Sequence, residues 1–119
     1  MFQTKLKTEH VKGKKWKLTE PLGYTHEGIF ISVPTGFETD FASIGGVLLT
    51  VFGRPSGITA EPSVVHDFLY SEQSCYLDLN REEADYVFRE AMKKNGVGRM
   101  KRYSMWIGVR FFGHSRYRK

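Results

Sequence analysis

Polar and apolar residues alternate twice in the first third of the chain. Lys14-Lys15-Trp16-Lys17-Leu18 and part of Gly28-Ile29-Phe30-Ile31-Ser32-Val33 carry the two-residue period of a strand with one face buried. Thr25-His26-Glu27-Gly28 reads as a turn between them. Pro34 cannot donate to a ladder and should end the second strand, which leaves a small antiparallel sheet. The pattern then dissolves. Residues 34–58 hold Pro34, Gly36, Gly45, Gly46, Gly53, Pro55 and Gly57, the composition of a long loop. Within it, Val47-Leu48-Leu49-Thr50-Val51-Phe52 reads as a short helix or a buried strand.

From residue 59 the period becomes helical. Thr59 is placed to cap a helix over about residues 60–71, with Pro62 tolerated in its first turn and Val65, Phe68 and Leu69 as its core stripe. Asn80, with Glu83 three residues on, predicts a capping box at the start of a second helix. Ala84, Val87, Phe88, Ala91 and Met92 form the apolar face of that helix, and Gly96 fits its end. A third helix is expected over about 98–112, ending at Gly113 and apolar on most sides. The expected fold is therefore α+β: a small N-terminal antiparallel β-sheet over 1–33, a long central loop over 34–58, three C-terminal helices within 59–113 and a basic tail over 114–119.

A length of 119 residues fits one domain with a modest core. The net charge of +5 is unevenly placed. Six lysines lie in residues 1–17, and nine basic residues follow Glu90 with no further acid. Basic ends of this kind suit an anionic surface such as phospholipid headgroups, nucleic acid or an acidic protein, and equally a solvated face that keeps a small protein soluble. Nothing in the chain specifies nucleic-acid recognition. The single cysteine, Cys75, excludes an intramolecular disulfide and suits a reducing cytoplasm or a particle assembled there. The polar, lysine-rich start and the short apolar runs lead us to expect no signal peptide and no membrane-spanning helix.

The candidate chemistry lies in Val64-Val65-His66-Asp67-Phe68-Leu69-Tyr70 and Ala84-Asp85-Tyr86-Val87-Phe88. His66 and Tyr70 stand four apart and share one face of the first helix. Asp85 lies at the margin of the apolar stripe of the second, and aspartate is rarely buried without a partner. If the helices pack antiparallel, Asp85 reaches His66 and fixes its tautomer. Two outcomes stand open: a general base oriented by a carboxylate, or a structural hydrogen-bond network between helices. Asp67, next to His66, is a candidate metal ligand; Asp40 can add a carboxylate from the long loop or serve as a turn or cap aspartate.

These two segments resemble the core helices of the phospholipase A2 superfamily, in particular its disulfide-free viral capsid members and its short bacterial members. The resemblance covers about residues 59–92. It implies that His66 activates a water, that Asp85 orients His66, that Tyr70 supports the network and that Asp67 binds calcium. Backbone carbonyls of a glycine-rich loop would complete the calcium site. Phe52-Gly53-Arg54-Pro55-Ser56-Gly57 and Ser43-Ile44-Gly45-Gly46 are the candidates for that loop.

A second resemblance covers most of the chain. Val33-Pro34-Thr35-Gly36-Phe37-Glu38-Thr39-Asp40-Phe41-Ala42-Ser43-Ile44, then the His66 segment, then Glu83-Ala84-Asp85 and a tryptophan-bearing last helix resemble, in that order, a family of small phage and prophage proteins known only as a domain of unknown function. The family pattern has a proline after the isoleucine, where this chain has Gly45. The resemblance implies a bacteriophage protein made in the host cytoplasm, with other phage proteins as partners and a place in the virion or in lysis. Two functions follow as expectations: calcium-dependent ester hydrolysis on host envelope lipids, or a non-catalytic tail- or capsid-associated role in which the His–Asp pair is structural. The last helix and its tail can serve as a third core helix that docks on a neighbour, or lie on a membrane surface with Trp106, Phe111 and Phe112 as anchors.

Overall fold

A computed structural model describes residues 2–12, 15–39, 57–113 and 117. It shows small antiparallel sheets followed by three helices, an α+β fold. The chain divides into two compact units, Met1–Asp40 and Phe41–Lys119.

Among the described residues the first unit holds five strands in two sheets. β1 (Thr8–Lys12), β2 (Lys15–Leu18) and β5 (Glu38–Thr39) form one, in the order β1-β2-β5. β3 (Leu22–His26) and β4 (Ile29–Val33) form the other. β2 and β4 lie where the alternating pattern places them. β1 and β3 carry no such pattern and exist through pairing. Thr8 faces Leu18 and His10 faces Trp16 across the first ladder, and Leu22 faces Val33 across the second. The β3–β4 hairpin turns at Glu27 and Gly28, both with positive φ (46° and 83°), a conformation in which glycine carries no steric cost. Leu18, Leu22, Tyr24, Ile31, Val33 and Phe37 are buried.

The second unit begins, among the described residues, with a 3₁₀ turn over Gly57–Thr59 that runs into α1 (Ala60–Tyr70). Thr59 occupies the capping position but its side chain makes no capping bond. Its backbone is already in the right-handed helical region, and its carbonyl accepts from Ser63 Oγ at 2.7 Å. The cap expected from the sequence is therefore replaced by a continuous turn. The connection to the second helix is itself a 3₁₀ segment, Glu72–Leu77, closed by Asp78 in the left-handed region.

α2 (Arg81–Lys94) starts with the expected capping box. Asn80 Oδ1 accepts from Glu83 N at 2.8 Å, and Glu83 Oε1 accepts from Asn80 N at 3.0 Å. It ends in a Schellman motif. Gly96, at φ 89°, donates its N–H to Lys93 O, and Val97 donates to Met92 O. That reversal leads into α3 (Arg99–Phe112).

Phe88, Met92, Val97, Met105 and Val109 form one buried cluster joining α2 to α3. The Arg89 guanidinium of α2 lies over the rings of Tyr86, Tyr103 and Trp106, 5.1, 5.0 and 4.6 Å from their centroids. The third helix forms over the expected span, ending at Gly113. Only Met105, Gly108 and Val109 of it are buried, while Met100, Tyr103, Ile107, Phe111 and Phe112 are exposed. It is apolar on most sides but has one buried face. No helix among the described residues is long and apolar enough to cross a membrane.

Candidate functional site

α1 presents His66 and Tyr70 one turn apart, and α2 presents Asp85 to both. His66 Nε2 donates to Asp85 Oδ1 at 2.7 Å. Tyr70 Oη donates to the same oxygen at 2.5 Å. These are the contacts expected between the two helices. A carboxylate that accepts from Nε2 puts the ring proton there, so any proton transfer by His66 runs through Nδ1. The ring also lies against Tyr70 and Phe88, with centroids 4.2 and 4.6 Å away.

Three further residues complete the arrangement and escape a reading of the sequence. Arg110 Nη1, from α3, donates to Asp85 Oδ2 at 2.8 Å. Arg81, the first residue of α2, donates from Nε to Tyr70 Oη at 3.2 Å and from Nη2 to the carbonyls of Val109 and Arg110 at 2.7 and 2.6 Å. Its charge therefore sits on the C-terminal carbonyls of α3, the end of a helix that favours a cation. Tyr117 stands edge-on to Tyr70 at 5.1 Å and donates to Leu79 O at 2.8 Å. One signal for Arg110 was visible: an arginine inside the apolar run Trp106–Phe112 needs an anion or a path to water. Gly113 closes the site without a side chain. A Cβ there would stand 2.5 Å from Val109 O and 2.8 Å from Tyr70 Oη.

Electrostatics follow from this closure. Burial alone would raise the Asp85 pKa, but the hydrogen bond and charge of His66, with the bonds from Tyr70 and Arg110, outweigh it and hold the carboxyl below the ordinary 3.8. Tyr70 moves the other way. Its burial, with the bond and charge of Asp85, pushes the phenol well above its ordinary 10.0. A folded-state pKa above the unfolded value stabilises the fold below pH 10 and loses that contribution as pH rises beyond it. Wild type is therefore expected to lose stability more steeply above about pH 10 than Tyr70→Phe. Urea unfolding of both proteins across that range checks this; parallel curves would contradict it.

The site is closed. His66 and Asp85 have no exposed surface, and Tyr70 is 1% exposed. Asp67, the next residue along α1, is half-buried and points about 100° away from His66 around the helix. Asp40 and the two glycine-rich segments proposed for calcium, 43–46 and most of 52–57, lie outside the described residues, as do 47–52. Among the described residues no three His, Cys, Asp or Glu side chains come together to hold a metal. Asp67 alone offers one carboxylate where calcium takes six to eight oxygens, so the described residues do not by themselves fit the ion.

The family described as "Protein of unknown function (DUF1353)" matches residues 16–109. That span runs from within β2 into α3 as far as Val109 and contains His66, Tyr70, Asp85 and Arg81, so the chain belongs to this family. No curated protein and no solved structure matches it.

Proposed function

We propose that this member of the family is a non-catalytic bacteriophage structural or accessory protein whose His66–Asp85–Tyr70–Arg110 network fixes the packing of three helices. One observation carries this reading. The imidazole and the carboxylate are both fully buried, and both Asp85 oxygens are already bonded, one to His66 and Tyr70 and the other to Arg110. A general base must meet water and substrate, and a closed ring meets neither. A polar network centred on a buried carboxylate with both oxygens bonded does what such networks do in other folds: it specifies one arrangement of the helices. The ordered motifs shared with small phage proteins support the phage setting, with assembly in the host cytoplasm and other phage proteins as partners.

His66→Asn tests the role of the ring. It removes the hydrogen bond to Asp85 and leaves a void beside Phe88. The expected loss of unfolding free energy is roughly 2–4 kcal/mol, read by urea unfolding. A loss below about 0.5 kcal/mol would show that the ring is not a structural member.

A second reading is favoured by the His–Asp contact itself. Asp85 holds one ring nitrogen, Nε2, with Tyr70 on the same oxygen, and the resemblance to phospholipases A2 implies that a histidine oriented in this way takes a proton from water on its other nitrogen. On that reading His66 is the base, Asp85 and Tyr70 position it, and the ester of an envelope lipid is the substrate. Exposure of the ring would have to precede the reaction.

A further inference from the structure

We propose that α3 is a surface for docking on anionic phospholipid, through a stripe formed by Met100, Ile107 and Phe111 with Tyr103 at its edge. The inference is independent of whether His66 is catalytic. At about 100° per residue, Met100, Ile107 and Phe111 fall within roughly 40° of one another, and they extend along about 16 Å of the helix. The buried face, Met105, Gly108 and Val109, is centred about 130° away around the helix. Met100 is 86% exposed, Ile107 47% and Phe111 71%. Side chains that stand this far clear of neighbouring elements do not line a groove that a partner's side chain could fill. They suit a soft planar surface into which apolar groups sink while the helix lies flat.

Charge supplies the sign of that surface. Arg99, Lys101 and Arg102 lie on α3 beside Arg110, which is paired with Asp85, and the helix has no acid. Arg99 and Lys101 are both exposed and flank Met100 on either side of the helix. Their aliphatic stems can lie along the stripe while the charged ends reach headgroup phosphates. In sequence the bias continues beyond the helix, with Arg116, Arg118 and Lys119. A second copy of this chain is a poorer occupant, because a symmetric contact would set these cations against one another. Trp106, an expected anchor, takes no part: its Nε1 is buried and its ring holds Arg89.

The test is co-sedimentation of the full chain with vesicles of mixed phosphatidylcholine and phosphatidylglycerol, and with phosphatidylcholine alone. Wild type should bind the mixed vesicles, lose binding as salt rises, and bind pure phosphatidylcholine about tenfold less or not at all. Ile107→Ser/Phe111→Ser and Arg99→Glu/Lys101→Glu should each weaken binding by about tenfold or more. All four residues are exposed, so both variants should unfold at the wild-type urea concentration, which is measured alongside. Failure of wild type to bind, equal binding to both vesicle types, or undiminished binding by either folded variant would overturn the proposal. So would self-association or capture of an acidic protein through the stripe without vesicle binding.

Discussion

Asp85→Ala is expected to lower the free energy of unfolding by roughly 3–5 kcal/mol, the scale for removing one partner of a buried ionic network. The carboxylate accepts from residues of two other helices, His66 and Tyr70 on α1 and Arg110 on α3. Its loss leaves a buried phenol and a buried imidazole without that acceptor, and the guanidinium without its counter-charge. The effect should depend on pH in one direction. The folded-state pKa of Asp85 lies below the ordinary 3.8, so its contribution is present above that value and is lost as pH falls through the folded pKa. Urea unfolding at neutral pH should show the full gap between wild type and variant, and the gap should shrink in acid. A neutral-pH difference below about 1 kcal/mol would mean that the three helices do not depend on this carboxylate.

Phe88→Ala is expected to cost about 3–5 kcal/mol through the cavity it leaves. Phe88 is fully buried, belongs to the cluster that joins α2 to α3, and lies against the His66 ring at 4.6 Å. Its removal therefore loosens the helix contact and the polar network together. Phe88→Leu keeps most of the volume and should cost less, under about 1.5 kcal/mol. Equal effects of the two substitutions in urea unfolding would show that cavity volume does not set the cost.

The legible parts of this fold are those decided locally. Asn80 and Glu83 satisfy each other's backbone within one turn, and Gly96 supplies the left-handed residue that a Schellman ending requires, so both ends of α2 could be read from the chain. The turn into β4 is local in the same way. Thr59 fails because a 3₁₀ turn supplies the start of α1 by another route. β1 and β3 lack a two-residue pattern and are held by ladders to partners, which is information the segment alone does not contain. The span of the third helix was legible too, but which of its apolar residues are buried was not, because apolar content does not report exposure: Met100 and Phe111 are apolar and face outward. In the site, the His66–Asp85–Tyr70 set was legible because helical spacing and the cost of a buried aspartate both point to it. Arg110 and Arg81 were not, because their partners lie 25 and 11 residues away in sequence and only the packing of α1–α3 brings them there.

His66 is either sealed for structure or held for catalysis. The most direct measurement is fatty-acid release from mixed anionic phospholipid vesicles, with and without calcium, by folded wild type beside folded His66→Asn. Vesicle binding is recorded in the same samples, so that docking on lipid and hydrolysis are read separately. The structural account predicts no release by either protein under any of these conditions. Release by wild type that disappears in a folded His66→Asn protein would contradict it and assign His66 as the base of a lipid hydrolase.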